Sequence, residues 1–224
     1  MASNGRLRLR KHRLSWPPKA GADVKKKTKR ASEADPVERA EFREIQEYLP
    51  IESLLFLDEF GSHLAMTRTR ARAPQGVRAE MEEPFQRGAN FSTIAALGLR
   101  GVRAPFTIEG AFDREVFELW VKQMLVPALR KGDWVLLDNV QFHYSARAIE
   151  MIEAAGATVL HIPAYSPDFN PIEECFSKIK EYLRSAKART ERKLYLALAK
   201  ALEKVTAADI LSWFKHCGYV YSLN

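Results

Sequence analysis

Three carboxylates stand out in this chain of 224 residues. Asp58 follows the apolar run Leu54-Leu55-Phe56-Leu57, and Asp138 follows Val135-Leu136-Leu137. A carboxylate closing a buried strand sits where α/β sheets usually host ligands. It is costly there unless it is paired or bound to a cation. Taken singly, each aspartate is better explained as the first residue of a loop, since Asp is common in turns. Taken together, on strands expected to be neighbours, they point to a shared cation. Glu173 is the third. It lies in Tyr165-Ser166-Pro167-Asp168-Phe169-Asn170-Pro171-Ile172-Glu173-Glu174. Asn170 reads as an N-cap and Pro171 as a first helical residue. Glu173 is then the third helical residue, and completing a capping box would explain it. The stripe Ile172, Phe176, Ile179 and Leu183 puts Glu173 roughly 90° from the buried centre and Glu174 roughly 170° away. Glu174 is therefore expected in solvent, and Glu173 within reach of the strand ends. A helix N-terminus tolerates a carboxylate, so capping and metal binding are compatible.

A carboxylate triad with no histidine or cysteine cluster favours a hard, oxygen-seeking cation, Mg²⁺ or Mn²⁺ rather than Zn²⁺. Such sites hold two ions about 3.5–4 Å apart, one activating the attacking oxygen and one stabilising the leaving oxygen.

The elements that must position this triad follow from the hydrophobic pattern. Pro36–Tyr48 reads as a short helix. Strands are expected at Ser53–Asp58, Phe91–Leu97, Val102–Ile108, Trp134–Asp138 and Thr158–Ile162. Phe112–Leu129 reads as a helix with Val116, Trp120, Val121, Met124 and Ala128 on one face. Ser145 caps a helix that Gly156 closes. Three helices follow, at about 171–185, 190–204 and 206–216. The fold class is α/β, a mixed sheet of about five strands flanked by helices, with extra C-terminal helices. The last two strands, joined through a helix, should be parallel. No Gly-rich loop follows a strand, which argues against a nucleotide-binding enzyme.

Charge divides the chain. Residues 1–30 hold eleven basic residues and one acidic residue; their +10 against a whole-chain +7 leaves −3 for the rest. A basic arm on a mildly acidic body is a common nucleic-acid footprint, and a solvated tail is the plainer alternative. Lys25, Lys26, Lys27, Lys29 and Arg30 are the candidate DNA contacts of this arm. Residues 1–45 read as a basic arm and linker, or as the tail of a DNA-binding module, and 46–224 as the catalytic domain. Two cysteines are too few for a disulfide framework, so a reducing compartment is expected. No apolar run of about eighteen residues marks a membrane span.

Three blocks carry a resemblance: Leu57-Asp58-Glu59-Phe60-Gly61, Asp138-Asn139-Val140-Gln141-Phe142-His143, and Ser166-Pro167-Asp168-Phe169-Asn170-Pro171-Ile172-Glu173. The chain resembles the catalytic domain of the DDE transposases of the Tc/mariner superfamily, in its bacterial insertion-sequence branch. The 34 residues between Asp138 and Glu173 are the interval of that group, and His216-Cys217-Gly218-Tyr219 also looks familial. The resemblance implies an RNase H-like fold, with Asp58, Asp138 and Glu173 as catalytic metal ligands. It implies hydrolysis at transposon ends, then attack of the freed 3′-OH on target DNA. Asn139 and His143 match the motif but are not ligands; His143 would contact DNA or support a ligand, or be a satisfied loop histidine. The resemblance further implies a homodimer on DNA and a cytoplasmic, nucleoid-associated protein. Family members carry helix-turn-helix modules in front of this domain, and only about 50 residues precede the first strand here. A truncated gene fits, and so does an element split between two reading frames, with a separately encoded helix-turn-helix partner. A catalytically inactive or domesticated DNA-binding remnant and a non-joining RNase H-like nuclease are the competing readings.

Removing residues 1–30 is expected to weaken DNA binding and flatten the slope of log K against log salt. An unchanged slope in a salt titration would make the arm a passive tail.

Overall fold

The computed structural model describes residues 31–220 apart from Ala71; the basic cluster Lys25–Arg30 lies outside the described residues. Helix α1 (Pro36–Gln46) is capped by Asp35, whose carboxylate accepts from the amides of Val37 and Glu38. Strands β1 (Leu54–His63), β2 (Asn90–Gly98) and β3 (Gly101–Glu109) form an antiparallel meander. Strands β4 (Trp134–Leu137) and β5 (Thr158–His161) complete a five-stranded sheet of order β3-β2-β1-β4-β5. Both are parallel to β1. The expected mixed sheet, with its later strands parallel, is present.

Alternation along the strands builds two cores, because successive side chains point to opposite faces. Phe56 and Phe60 of β1, Phe91, Ala95 and Leu97 of β2, and Leu136 of β4 face one core. It is closed by α5 (Ile172–Ala186), α6 (Glu191–Glu203) and α7 (Ala207–His216), with Phe42 of α1. Leu57, Ile94, Ala96, Val135 and Leu137 face the other core. That side is covered by α2 (Arg114–Trp120), its continuation, and α4 (Ala146–Ala154). Ser145 caps α4, and Gly156 leaves it at φ +84°, where glycine is favoured.

Several boundaries differ from those the sequence suggests. β1 does not stop at Asp58. The two-sided apolar run ends there because β4 pairs only with Leu54–Leu57, but β2 continues alongside as far as His63. Asp58 is therefore inside a strand. The helix after β3 passes from α2 through a π-helical segment, Val121–Leu125, into α3 (Val126–Ala128). The extra residue in that turn adds Leu125 to the core alongside Phe117, Trp120 and Val121, with Met124 half-buried against it. The body also begins earlier than residue 46. The compact unit starts at Ala31, since α1 contributes Phe42 to the core and Gln46 donates to the Cys217 carbonyl at 2.8 Å. Cys175 and Cys217 are free and buried.

Gly98 closes β2 against β1 with no room to spare. A Cβ there would lie 2.8 Å from Leu55 Cδ2 and 2.9 Å from the Leu54 carbonyl oxygen. Gly98→Ala is expected to cost about 1–3 kcal/mol through overpacking, measured by urea denaturation; unchanged stability would mean the β1–β2 pairing is looser than described.

Candidate active site

The register of β1 on β4 brings the two aspartates together. Leu57 pairs with Leu137, so Asp58 and Asp138 are the next residues of adjacent parallel strands. They share the parity of Phe56 and Leu136, which face the core closed by α5. Glu173 sits in the first turn of α5 and is exposed. All three carboxylates line one cavity of about 500 Å³, walled by Asn139, Val140 and the loop from Ile162 to Pro167.

The electrostatics record how close they are. Burial, then the charges of Asp138 and Glu173, push the Asp58 carboxyl up to about 8. Asp58 is 7% exposed. Its Oδ1 accepts from the Glu59 amide at 2.7 Å, and its Oδ2 from Asn170 Nδ2 at 3.2 Å. Asp138 ends up on the other side of its usual range. Burial pushes it up, but the hydrogen bond and charge of His143 more than offset that and hold it low. His143 Nδ1 lies 2.6 Å from Asp138 Oδ1 and its Nε2 lies 3.7 Å from Glu59 Oε2. His143 is fully buried, packed on Phe117 and Phe142, with Asp138 as its hydrogen-bond partner. Asn139 ties the ends of β4 and β5, donating to the Ile162 carbonyl at 2.7 Å and accepting from the Tyr144 hydroxyl.

Glu173 is positioned differently from the capping-box expectation. The N-terminus of α5 has no side-chain cap. The Asn170 carbonyl accepts from the Glu173 amide at 3.2 Å, but the Asn170 side chain turns to Asp58 instead. Glu174 is not free in solvent. α7 covers that flank of α5, and His216 Nδ1 lies 2.7 Å from Glu174 Oε1. The turn Pro167–Phe169 that feeds α5 is fastened from both sides. Arg39 of α1 makes two bonds to Asp168, at 2.9 and 2.7 Å, and lies 4.5 Å over the Phe169 ring. Tyr219 donates to the Phe169 carbonyl at 2.9 Å.

Sequence reading passed over two residues here, Asn170 and Glu59. Asn170 had a ready explanation as a cap. Glu59 was masked by its neighbour, although the alternation of β1 sends it to the opposite face, towards His143.

The donor set fits a hard divalent cation. The three side chains are oxygen-only, burial and the neighbouring negative charges raise Asp58, and Asn170 Oδ1 is buried with no hydrogen-bond partner among the described residues.

The family described as DDE superfamily endonuclease matches residues 53–195, which include all three carboxylates. No curated protein matches the chain in sequence. Among solved structures, the chain is similar to the Mos1 mariner paired end complex with Mn, at a TM-score of 0.67 and 14% identity over 88% of this chain and 64% of that one. The Mos1 strand transfer complex gives 0.65 and 14%, over 88% and 63%. The Mos1 transposase catalytic domain with raltegravir and Mg gives 0.58 and 12%, over 83% of this chain and 94% of that domain. The chain thus spans about two thirds or less of the Mos1 chains in the DNA complexes, and nearly all of the isolated domain. The sheet and its flanking helices have the RNase H-like fold of that domain.

Without metal, the raised Asp58 should set a pH trend. Its stabilising contribution is complete below the unfolded value near 3.8 and is lost as pH rises through about 8. The metal-free melting temperature is expected to fall between pH 5 and pH 8, and Asp58→Asn to flatten that fall. Equal slopes in EDTA would contradict the crowding of the three carboxylates.

Proposed function

The chain belongs to the DDE superfamily of endonucleases, and from that premise we infer that it is the catalytic domain of a DNA transposase. The observation that carries this reading is the convergence of Asp58, Asp138 and Glu173 on one cavity, with Asp58 raised by burial and then by the charges of the other two. The similarity to Mos1 complexes described as paired-end and strand-transfer assemblies supports DNA as the substrate.

Asp58, Asp138 and Glu173 would hold Mg²⁺ or Mn²⁺, as a pair of ions. When bound, the ions supply Lewis acidity at the attacking and leaving oxygens of an in-line displacement. The residues of this chain do the positioning. Asn170 orients Asp58 through Oδ2, leaving a carboxylate whose other oxygen is fixed by the Glu59 amide. His143 fixes Asp138 from beneath, in the way that partners of ligating groups set their orientation. The Pro167–Phe169 turn, held by Arg39 and Tyr219, sets where α5 begins and so where Glu173 stands. In the reaction, a water oxygen bonds to phosphorus at the transposon end and the P–O bond breaks, freeing a 3′-OH. That hydroxyl then displaces an alkoxide of target DNA and becomes part of the new phosphodiester. Two copies on paired ends are the assembly we expect.

Asp138→Ala and Glu173→Ala should reduce Mn²⁺-dependent nicking and strand transfer from a pre-cut end to background, with melting temperatures near that of the parent. Cutting without joining by the parent would make the protein a nuclease, and undiminished nicking by Asp138→Ala would overturn the reading. His143→Ala should weaken Mn²⁺ binding, read by calorimetry, about 10–100-fold; unchanged affinity would remove its supporting role.

A further inference from the structure

The exposed stripe of α5 does not end at Glu173. Ser177, Glu181 and Arg184 follow at about 40°, 80° and 20° from it around the helix, on one face. This stripe forms one wall of a second cavity, about 660 Å³, outside the carboxylate site. The opposite wall is Arg68-Thr69-Arg70, from the long connection between β1 and β2, and Lys178 and Lys204 also line the cavity. Five cationic side chains thus face one carboxylate, Glu181.

The cations are not equally committed. Lys178 is paired with Asp209 of α7, and Lys204 lies 5.5 Å over the Tyr182 ring. Arg68, Arg70 and Arg184 have no carboxylate within 4.0 Å among the described residues. The loop wall is nonetheless anchored. Arg189, between α5 and α6, donates to the carbonyls of Leu64 and Met66 at 2.8 and 3.1 Å, and Thr67 donates to Glu83 at 2.8 Å. Three unpaired guanidinium groups held around one cleft match the planar, multidentate acceptors of phosphodiesters.

We propose that this cleft holds the sugar-phosphate backbone of the DNA strand leading away from the scissile phosphate, with Arg68, Arg70 and Arg184 as its phosphate contacts. The proposal rests on the DNA-cleaving reading of the carboxylate site. Position sets which phosphates these are. Eleven residues at 1.5 Å each put Arg184 about 16 Å along the helix from Glu173. At about 3.4 Å per nucleotide that is up to five nucleotides from the cut. The contacts are to backbone, so the cleft adds affinity and register without reading sequence.

The test uses the full chain and a duplex carrying a pre-cut end, with binding measured in Ca²⁺ across a salt series. The triple variant Arg68→Gln, Arg70→Gln, Arg184→Gln should lower the slope of log K against log salt by about 2 to 3 and weaken binding at least about tenfold at physiological salt. Its melting temperature and Mn²⁺ affinity should match the parent's. Glu181→Gln, an exposed substitution with no risk to the core, should tighten binding instead. Neutral methylphosphonates two to five nucleotides from the cut should weaken the parent and leave the triple variant unaffected. A triple variant and a Glu181→Gln variant that both bind like the parent overturn the proposal, as does a parent with no affinity for DNA. Should Asp138→Ala nick DNA undiminished, the transposase reading falls while the binding series still decides the cleft.

Discussion

Asp58 has 7% of its surface in water and two carboxylates for neighbours. Bringing like charges to one end of a sheet is unfavourable at any spacing useful for holding a shared cation, so something else must hold them there. That something is the parallel pairing of β1 with β4, fixed by Leu54, Phe56, Leu136 and Leu137 in two separate cores. A slip of one residue in either strand would send its aspartate to the wrong face. Sandwiching the pair between two apolar layers makes that slip costly. The same burial that fixes the register also removes the solvent that would screen the repulsion, so the site is poised for a cation by the packing that builds it.

Glu173 reaches the site by another route. It comes from a helix, not a strand, and nothing in the sheet dictates where that helix starts. The start is set by the turn before it, and both ends of the described chain meet on that turn: Arg39 of α1 on Asp168 and Phe169, and Tyr219 beyond α7 on the Phe169 carbonyl. The motif His216-Cys217-Gly218-Tyr219 gains a physical meaning here. Cys217 accepts from Gln46 of α1, His216 holds Glu174 aside, and Tyr219 fixes the turn. Segments far from the carboxylates in sequence thus determine the third one.

The parts legible from sequence are those governed by local periodicity. Two apolar runs ending in aspartate gave neighbouring strands, because a fully buried strand has a composition of its own. The stripe on α5 put Glu174 in solvent and Glu173 beside the core, whereas Glu173 is the exposed one and Glu174 is half-buried. Helix geometry cannot know that α7 will cover the flank where Glu174 lies. Asn170 was read as a cap because that is the residue's commonest local use; turning to Asp58 requires knowing where residue 58 stands, 112 positions earlier. The length of β1 was underestimated for a similar reason: β2 supports residues past Asp58 that carry no apolar run.

On the proposed function, the two cavities make opposite demands on the same substrate. A DNA strand is a polyanion, and the carboxylate site repels it until cations are present. Even with the triad matched by divalent ions, phosphates flanking the scissile one gain nothing from the triad, and their repulsion persists along the strand. The cleft on the far half of α5 supplies the missing counter-charge, on the very helix that carries Glu173. Because α5 is rigid and its stripe is continuous from Glu173 to Arg184, a phosphate seated in the cleft fixes the distance from there to the reacting one. Charge of one sign gathered for catalysis and of the other sign gathered for grip, on one helix, is a way to convert non-specific attraction into a defined approach of the phosphodiester to the ions.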